Sequence, residues 1–137
     1  MDSKIYFMKE EIQKKIANLG SMKNQQNIRQ AAKDIAEKGG ASALMKASRS
    51  LNTFQKKDVI HAMMPSVKKE HLSDLLDLLE AEAQPVHGRE EATVHSGIIK
   101  ELFDKISQLA GEDFFEGVSL IDQEEIIKRV QMIKNRK

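Results

Sequence analysis

The stretch VHSGIIKELFDKISQL, residues 94–109, sets Val94, Ile98, Ile99, Leu102, Phe103, Ile106 and Leu109 at three- and four-residue steps. That is the period of an α-helix with one apolar face. Gly111, just past the last apolar residue, is where such a helix stops. Upstream, Leu72, Leu75, Leu76, Leu78 and Leu79 cover more than one face of a helix, which predicts a segment near the middle of a core.

Working outward, the same period recurs. Ile5, Met8, Ile12, Ile16 and Leu19 predict an amphipathic helix over 4–19, stopped by Gly20. Ile28, Ala31, Ala32, Ile35 and Ala36 predict a second over 22–38, whose small side chains let a neighbouring helix come close. Gly39 and Gly40 break it, and a shorter helix resumes over 41–51. At the C-terminal end, Asp122 followed by Glu125 is a capping-box variant opening a helix within 120–137, with the stripe Ile126, Ile127, Val130 and Ile133. Between these lies one internal repetition: Lys56, Lys57, Asp58, Ile60, Met63 and Met64 return twelve positions later as Lys68, Lys69, Glu70, Leu72, Leu75 and Leu76. The match is either a local duplication, in which case two matched short helices around Pro65 form a helical hairpin, or a coincidence. Residues 84–93, QPVHGREEAT, have no helical period and are expected to be a loop or hinge.

Composition agrees. Of 137 residues, 40% are apolar and 31% charged, only two are proline and seven glycine, and strand formers are few. The expectation is an all-α bundle of six or seven short helices in a single domain, 1–137. With no cysteine, disulfides, thiolate metal ligands and a cysteine nucleophile are excluded. No apolar run reaches signal-peptide or membrane-span length, so no membrane partner is expected and the cytoplasm is the expected setting, or the nucleus in a eukaryotic or viral context.

The net charge of +1 conceals a segregation. Residues 1–70 carry 14 Lys/Arg against 7 Asp/Glu, residues 71–125 carry 3 against 14, and residues 126–137 carry 5 against none. A basic half, an acidic segment and a basic tail can complement one another within a fold or between copies.

No phosphate-binding loop, dinucleotide fingerprint, zinc-protease, hydrolase or calcium-loop motif occurs. His87 and His95 bracket Glu90 and Glu91, but the spacing matches no standard metal site. The acidic clusters stand in polar contexts, where carboxylates are solvated, whereas general acid–base work needs a pocket. No catalytic, cofactor or metal site is therefore expected. The leading expectation is a non-enzymatic protein that binds other proteins and forms homo-oligomers. Its contacts are expected at Phe114 and Phe115, set among three acids, and along Ile126, Ile127, Val130 and Ile133. The alternative is a nucleic-acid-binding regulator using residues 23–69, through Lys46, Arg49, Lys56, Lys57, Lys68 and Lys69. Ala36 and Gly40 have helix-turn-helix spacing, with Ser42, Lys46, Ser48 and Arg49 on the following helix, although Lys46 stands where that motif buries an aliphatic residue.

Overall fold

The structure, a computed structural model, describes residues 3–83 and 88–136, with side chains from residue 10 onward. Among the described residues the seven α-helices are α1 (Ser3–Leu19), α2 (Gln25–Ile35), α3 (Ala41–Ser48), α4 (Thr53–Met63), α5 (Leu72–Glu82), α6 (Arg89–Ala110) and α7 (Gln123–Lys134). There is no strand among the described residues, so the chain is all-α, as its composition requires. Contacts divide it into two compact units, Met1–Val67 and Lys68–Lys137. The division falls three residues before the change of charge sign at residue 70.

In the first unit α2 is the central element, packed most extensively on α4 and also on α1. Asn24 caps α2 by accepting the Asn27 amide, and Asn52 with Gln55 forms a full capping box on α4. The Gln55 side-chain amide also donates to the carbonyls of Gly20 and Met22 at 3.0 and 3.1 Å, tying the α1–α2 turn to the start of α4. Ala32 and Ala36 are buried among Ile28, Ile35, Val59 and Ile60, the close approach that small residues permit. The expected break at the glycine pair is present as a π-helical turn, Ala36–Gly40, with a kink at Gly39. The two glycines do different work. Gly39 takes φ +90°, a conformation L side chains rarely adopt, whereas a Cβ on Gly40 would meet Ile35 Cγ2 at 2.7 Å and Ile12 Cγ2 at 3.0 Å.

In the second unit α5 packs on both α6 and α7, which is why its leucines cover more than one face. Leu75, Leu76, Leu78 and Leu79 are buried with Ile98, Ile99, Leu102, Phe103 and Ile106 of α6 and Ile126, Val130 and Ile133 of α7. Gly111 ends α6 in the left-handed conformation, and Asp122 caps α7 by accepting the Glu125 amide.

Three expectations change. Leu72 is only half-buried, because it is the first residue of α5, after a 3-10 turn, Lys69–His71. Of the expected loop 84–93, residues 84–87 lie outside the described residues, and α6 already begins at Arg89. Residues 89–93 are all exposed and so show no apolar period, but Glu90 and Glu91 in the first turn suit the positive end of the helix dipole. The twelve-residue repetition is not structural: Asp58 is buried inside α4, whereas Glu70 is exposed in the 3-10 turn.

Two glycine substitutions separate crowding from propensity. Gly40→Ala should destabilise the protein by about 1–3 kcal/mol through overpacking. Gly97→Ala, exposed in α6 with nothing within 4 Å of the new methyl group, should stabilise by roughly 0.5–1 kcal/mol. Urea denaturation of each variant measures both, and opposite signs are required.

Candidate binding cleft and charged surfaces

An open cleft of about 850 Å³ lies on the first unit, lined by residues of α2, the π-helical turn and the C-terminal end of α4 with the turn after it. Gln26, Gln30, Lys33 and Glu37 recur at three- and four-residue steps and so share one face of α2 and its extension. Arg29 and Asn27 join them, facing His61, Ala62, Pro65 and Ser66. Three amide side chains and two cations give the lining a hydrogen-bonding character with a small positive excess.

Behind Arg29 stands Asp58, a carboxylate only 6% exposed. Its Oδ1 accepts from Arg29 Nε at 3.0 Å and from Gln25 Nε2 at 2.9 Å, so two α2 side chains satisfy one buried α4 anion. The remaining N–H groups of the Arg29 guanidinium make no hydrogen bond among the described residues. Arg29 is thus an oriented cation at the cleft wall, fixed through Nε with its end-on pair of N–H groups unspent. Sequence reasoning placed Arg29 and Lys33 in a basic stretch and missed Asp58. The available signal was an acid beside Val59 and Ile60 with a Gln25–Arg29 pair, one turn apart, to receive it.

The expected partner-binding residues are largely engaged within the second unit. Phe115 is buried and stacks on Phe103, ring centroids 4.2 Å apart. Phe114 is half-buried, with the Arg136 guanidinium 5.2 Å from its ring centroid and its carbonyl accepting from Arg129. Ile126, Val130 and Ile133 are buried and Ile127 half-buried, because α7 folds back onto α5. The stripe therefore offers no exposed apolar face. Three of the tail's cations are likewise answered within their own unit: Lys134 meets Asp77 at 2.7 Å and Glu80 at 2.9 Å, Arg129 meets Glu125, and Arg136 meets Glu112 at 2.6 Å. Large exposed apolar side chains stand elsewhere, at Phe54, Ile121 and Met132.

The residues expected to contact nucleic acid are divided between the units. Lys46, Arg49 and Lys57 are exposed on the first, with Lys56 half-buried, whereas Lys68 and Lys69 belong to the second. Ser48 is buried and donates to the Met45 carbonyl at 2.7 Å, so it is not presented to a groove. His87 lies outside the described residues, and His95 Nε2 sits 3.6 Å from the buried Glu82 carboxylate. Among the described residues no group of three His, Cys, Asp or Glu side chains is placed to hold a metal, and no helix is long and apolar enough to cross a membrane. Compared with known proteins, the chain matches no family model, no curated protein and no solved structure.

The balance of the exposed charges that remain differs between the units. Among the described residues, Lys14, Lys23, Lys33, Lys46, Arg49 and Lys57 of the first unit are exposed and carry no ion pair, against Glu10 and Glu37 in the same state. In the second unit the same holds for Glu90, Glu91, Asp104, Asp113, Glu116, Asp122 and Glu124, against Lys69, Arg89, Lys100 and Lys128.

The tail contacts give a pH prediction. Hydrogen bonds to Asp77 and then Glu80 hold the Lys134 ammonium above its ordinary pKa. A raised folded-state pKa contributes stability that is complete below the unfolded value and lost as pH rises through the folded one. Lys134→Met should therefore cost about 0.2–1 kcal/mol at neutral pH, the range of surface pairs. That difference should begin to fall as pH passes the ordinary lysine value of about 10.4 and vanish only above the raised folded-state value. Paired denaturation curves across this range test it, and a difference independent of pH would contradict the ion-pair origin.

Proposed function

We propose that the chain is a non-enzymatic interaction protein, an adaptor or assembly component that contacts other proteins and further copies of itself in a cytoplasmic or nuclear setting. The observation that carries this reading is the agreement between the contact units and the charge reversal. The first unit holds 12 Lys/Arg against 6 Asp/Glu and the second 10 against 15, and among the described residues the exposed charges without an ion pair lean the same way, toward cations in the first unit and toward acids in the second. Opposite surfaces on one chain complement each other between copies. The basic unit of one copy meets the acidic unit of the next in a head-to-tail contact, which closes into a ring or extends into a chain. The buried carboxylates fit this reading because both serve pairing: Asp58 receives Gln25 and Arg29, and Glu82 has His95 beside it.

Such a contact is electrostatic and must weaken as salt screens it. Sedimentation velocity should show concentration-dependent association at about 50 mM salt and its loss at about 500 mM. Replacing Lys46 and Arg49 together by Glu should shift the low-salt protein toward monomer. A wild-type chain that is monomeric at low salt over all accessible concentrations would overturn self-association.

The exposed Lys46, Arg49 and Lys57 also support a second reading, nucleic-acid binding through the first unit. It predicts affinity for an oligonucleotide that falls steeply with salt, and a slope about one unit shallower for each phosphate contact removed by Lys46→Ala or Arg49→Ala. No binding at low ionic strength removes this reading.

A further inference from the structure

We propose that the α2–α4 cleft of the first unit is a binding site for a peptide segment bearing a carboxylate, gripped end-on by Arg29. The inference rests on the reading of the chain as a protein-binding module and names the chemistry of the partner.

Its volume of about 850 Å³ lies within the range of ligand-binding clefts, roughly 300–1,000 Å³. The decisive feature is the state of Arg29. A surface arginine samples many rotamers and surrenders that freedom on binding, whereas this one is anchored through Nε to a carboxylate that is itself buried. The Nη1 and Nη2 groups then offer two parallel N–H bonds, the geometry a carboxylate accepts in a bidentate pair. Lys33, one turn further along α2, adds a second cation, and the amides of Gln26 and Asn27 and the Ser66 hydroxyl supply donors and acceptors for peptide groups.

The same lining disfavours a nucleic-acid strand. Glu37 stands in the cleft and Asp58 behind it, so the positive excess is small, and the lining contains no Phe, Tyr or Trp, leaving the His61 imidazole alone as a ring on which a base could stack. The second unit carries the matching chemistry on exposed polar segments, as at Glu90 and Glu91, so another copy of the chain can present such a group.

The test is an NMR titration of the isotope-labelled full chain with the synthetic peptide acetyl-Gly-Glu-Asp-Glu-Gly-amide. Its isostere acetyl-Gly-Gln-Asn-Gln-Gly-amide and an oligothymidylate serve as separate arms. The acidic peptide should give saturable shifts confined to residues 25–37, the end of α4 and the Arg29 Nε–H signal, which the Asp58 bond keeps observable. Arg29→Lys keeps the charge but loses the fork, and should weaken binding by about tenfold, the loss of one charge-assisted hydrogen bond. Lys33→Ala, at an exposed position, should weaken binding by a smaller factor and guards against an Arg29 variant that fails to fold. Equal binding of the isostere, unchanged affinity in both variants, or tighter binding of the oligothymidylate to these residues would overturn the proposal. Sedimentation of the same samples separates the two readings. A monomeric chain that binds the peptide keeps the cleft and loses self-assembly, and an associating chain that ignores the peptide loses the cleft.

Discussion

Asp58 is a carboxylate inside α4, and a carboxylate so little exposed cannot stay charged without partners that repay its lost hydration. Both hydrogen-bonded partners come from α2, at positions one helical turn apart, so the buried charge fixes which part of α2 faces which part of α4. The small side chains of Ala32 and Ala36 let the helices approach, and the kink at Gly39 turns the chain into α3. Such a pair adds little net stability over a well-packed apolar substitute. Its value lies in specifying one arrangement, here one that also orients Arg29 at the cleft wall. Local sequence, helix packing and the candidate site thus meet in a single anion.

Electrostatics does different work in the second unit. The stripe on α7 is consumed by packing on α5, and the tail cations Arg129, Lys134 and Arg136 are consumed by Asp77, Glu80, Glu112 and Glu125. Pairing these three at home leaves the balance of that unit acidic, with Glu90 and Glu91 at the start of α6 and Glu116 and Glu124 near α7. The first unit lacks the acids to do the same, so several of its lysines stay exposed and unpaired among the described residues. The polarity that supports an assembly role therefore emerges after internal pairing has been subtracted.

The helices were legible because apolar period and glycine punctuation agree. Val94 to Leu109, the leucines of α5, the glycine pair and the Asp122 cap all stand where the pattern puts them. The first turns of α6 were not legible, since residues 89–93 bury nothing and leave no period. Burial of Asp58 was hidden by its likeness to Glu70 in the twelve-residue repetition. Only the tertiary arrangement supplies Gln25 and Arg29 to the one and solvent to the other. The cleft was invisible for a related reason: Gln26, Gln30 and Lys33 read as a solvated helix face until the end of α4 is set opposite them. The stripe Ile126, Ile127, Val130 and Ile133 was read correctly as apolar, but a pattern cannot say whether the complementary face lies in the same chain, and here α5 provides it.

The coupling between Asp58 and Arg29 tests this account most directly. A double-mutant cycle with Asp58→Ala, Arg29→Ala and the double variant, followed by denaturation at methyl signals of Ile28 and Ile60, isolates the interaction between the two side chains. Because Arg29 is partly solvent-exposed, the account predicts a coupling of about 1–2 kcal/mol, below the 3–5 kcal/mol cost of breaking a fully buried pair. Additivity within about 0.3–0.5 kcal/mol would mean that the buried carboxylate neither holds α2 against α4 nor orients the arginine, and would contradict it.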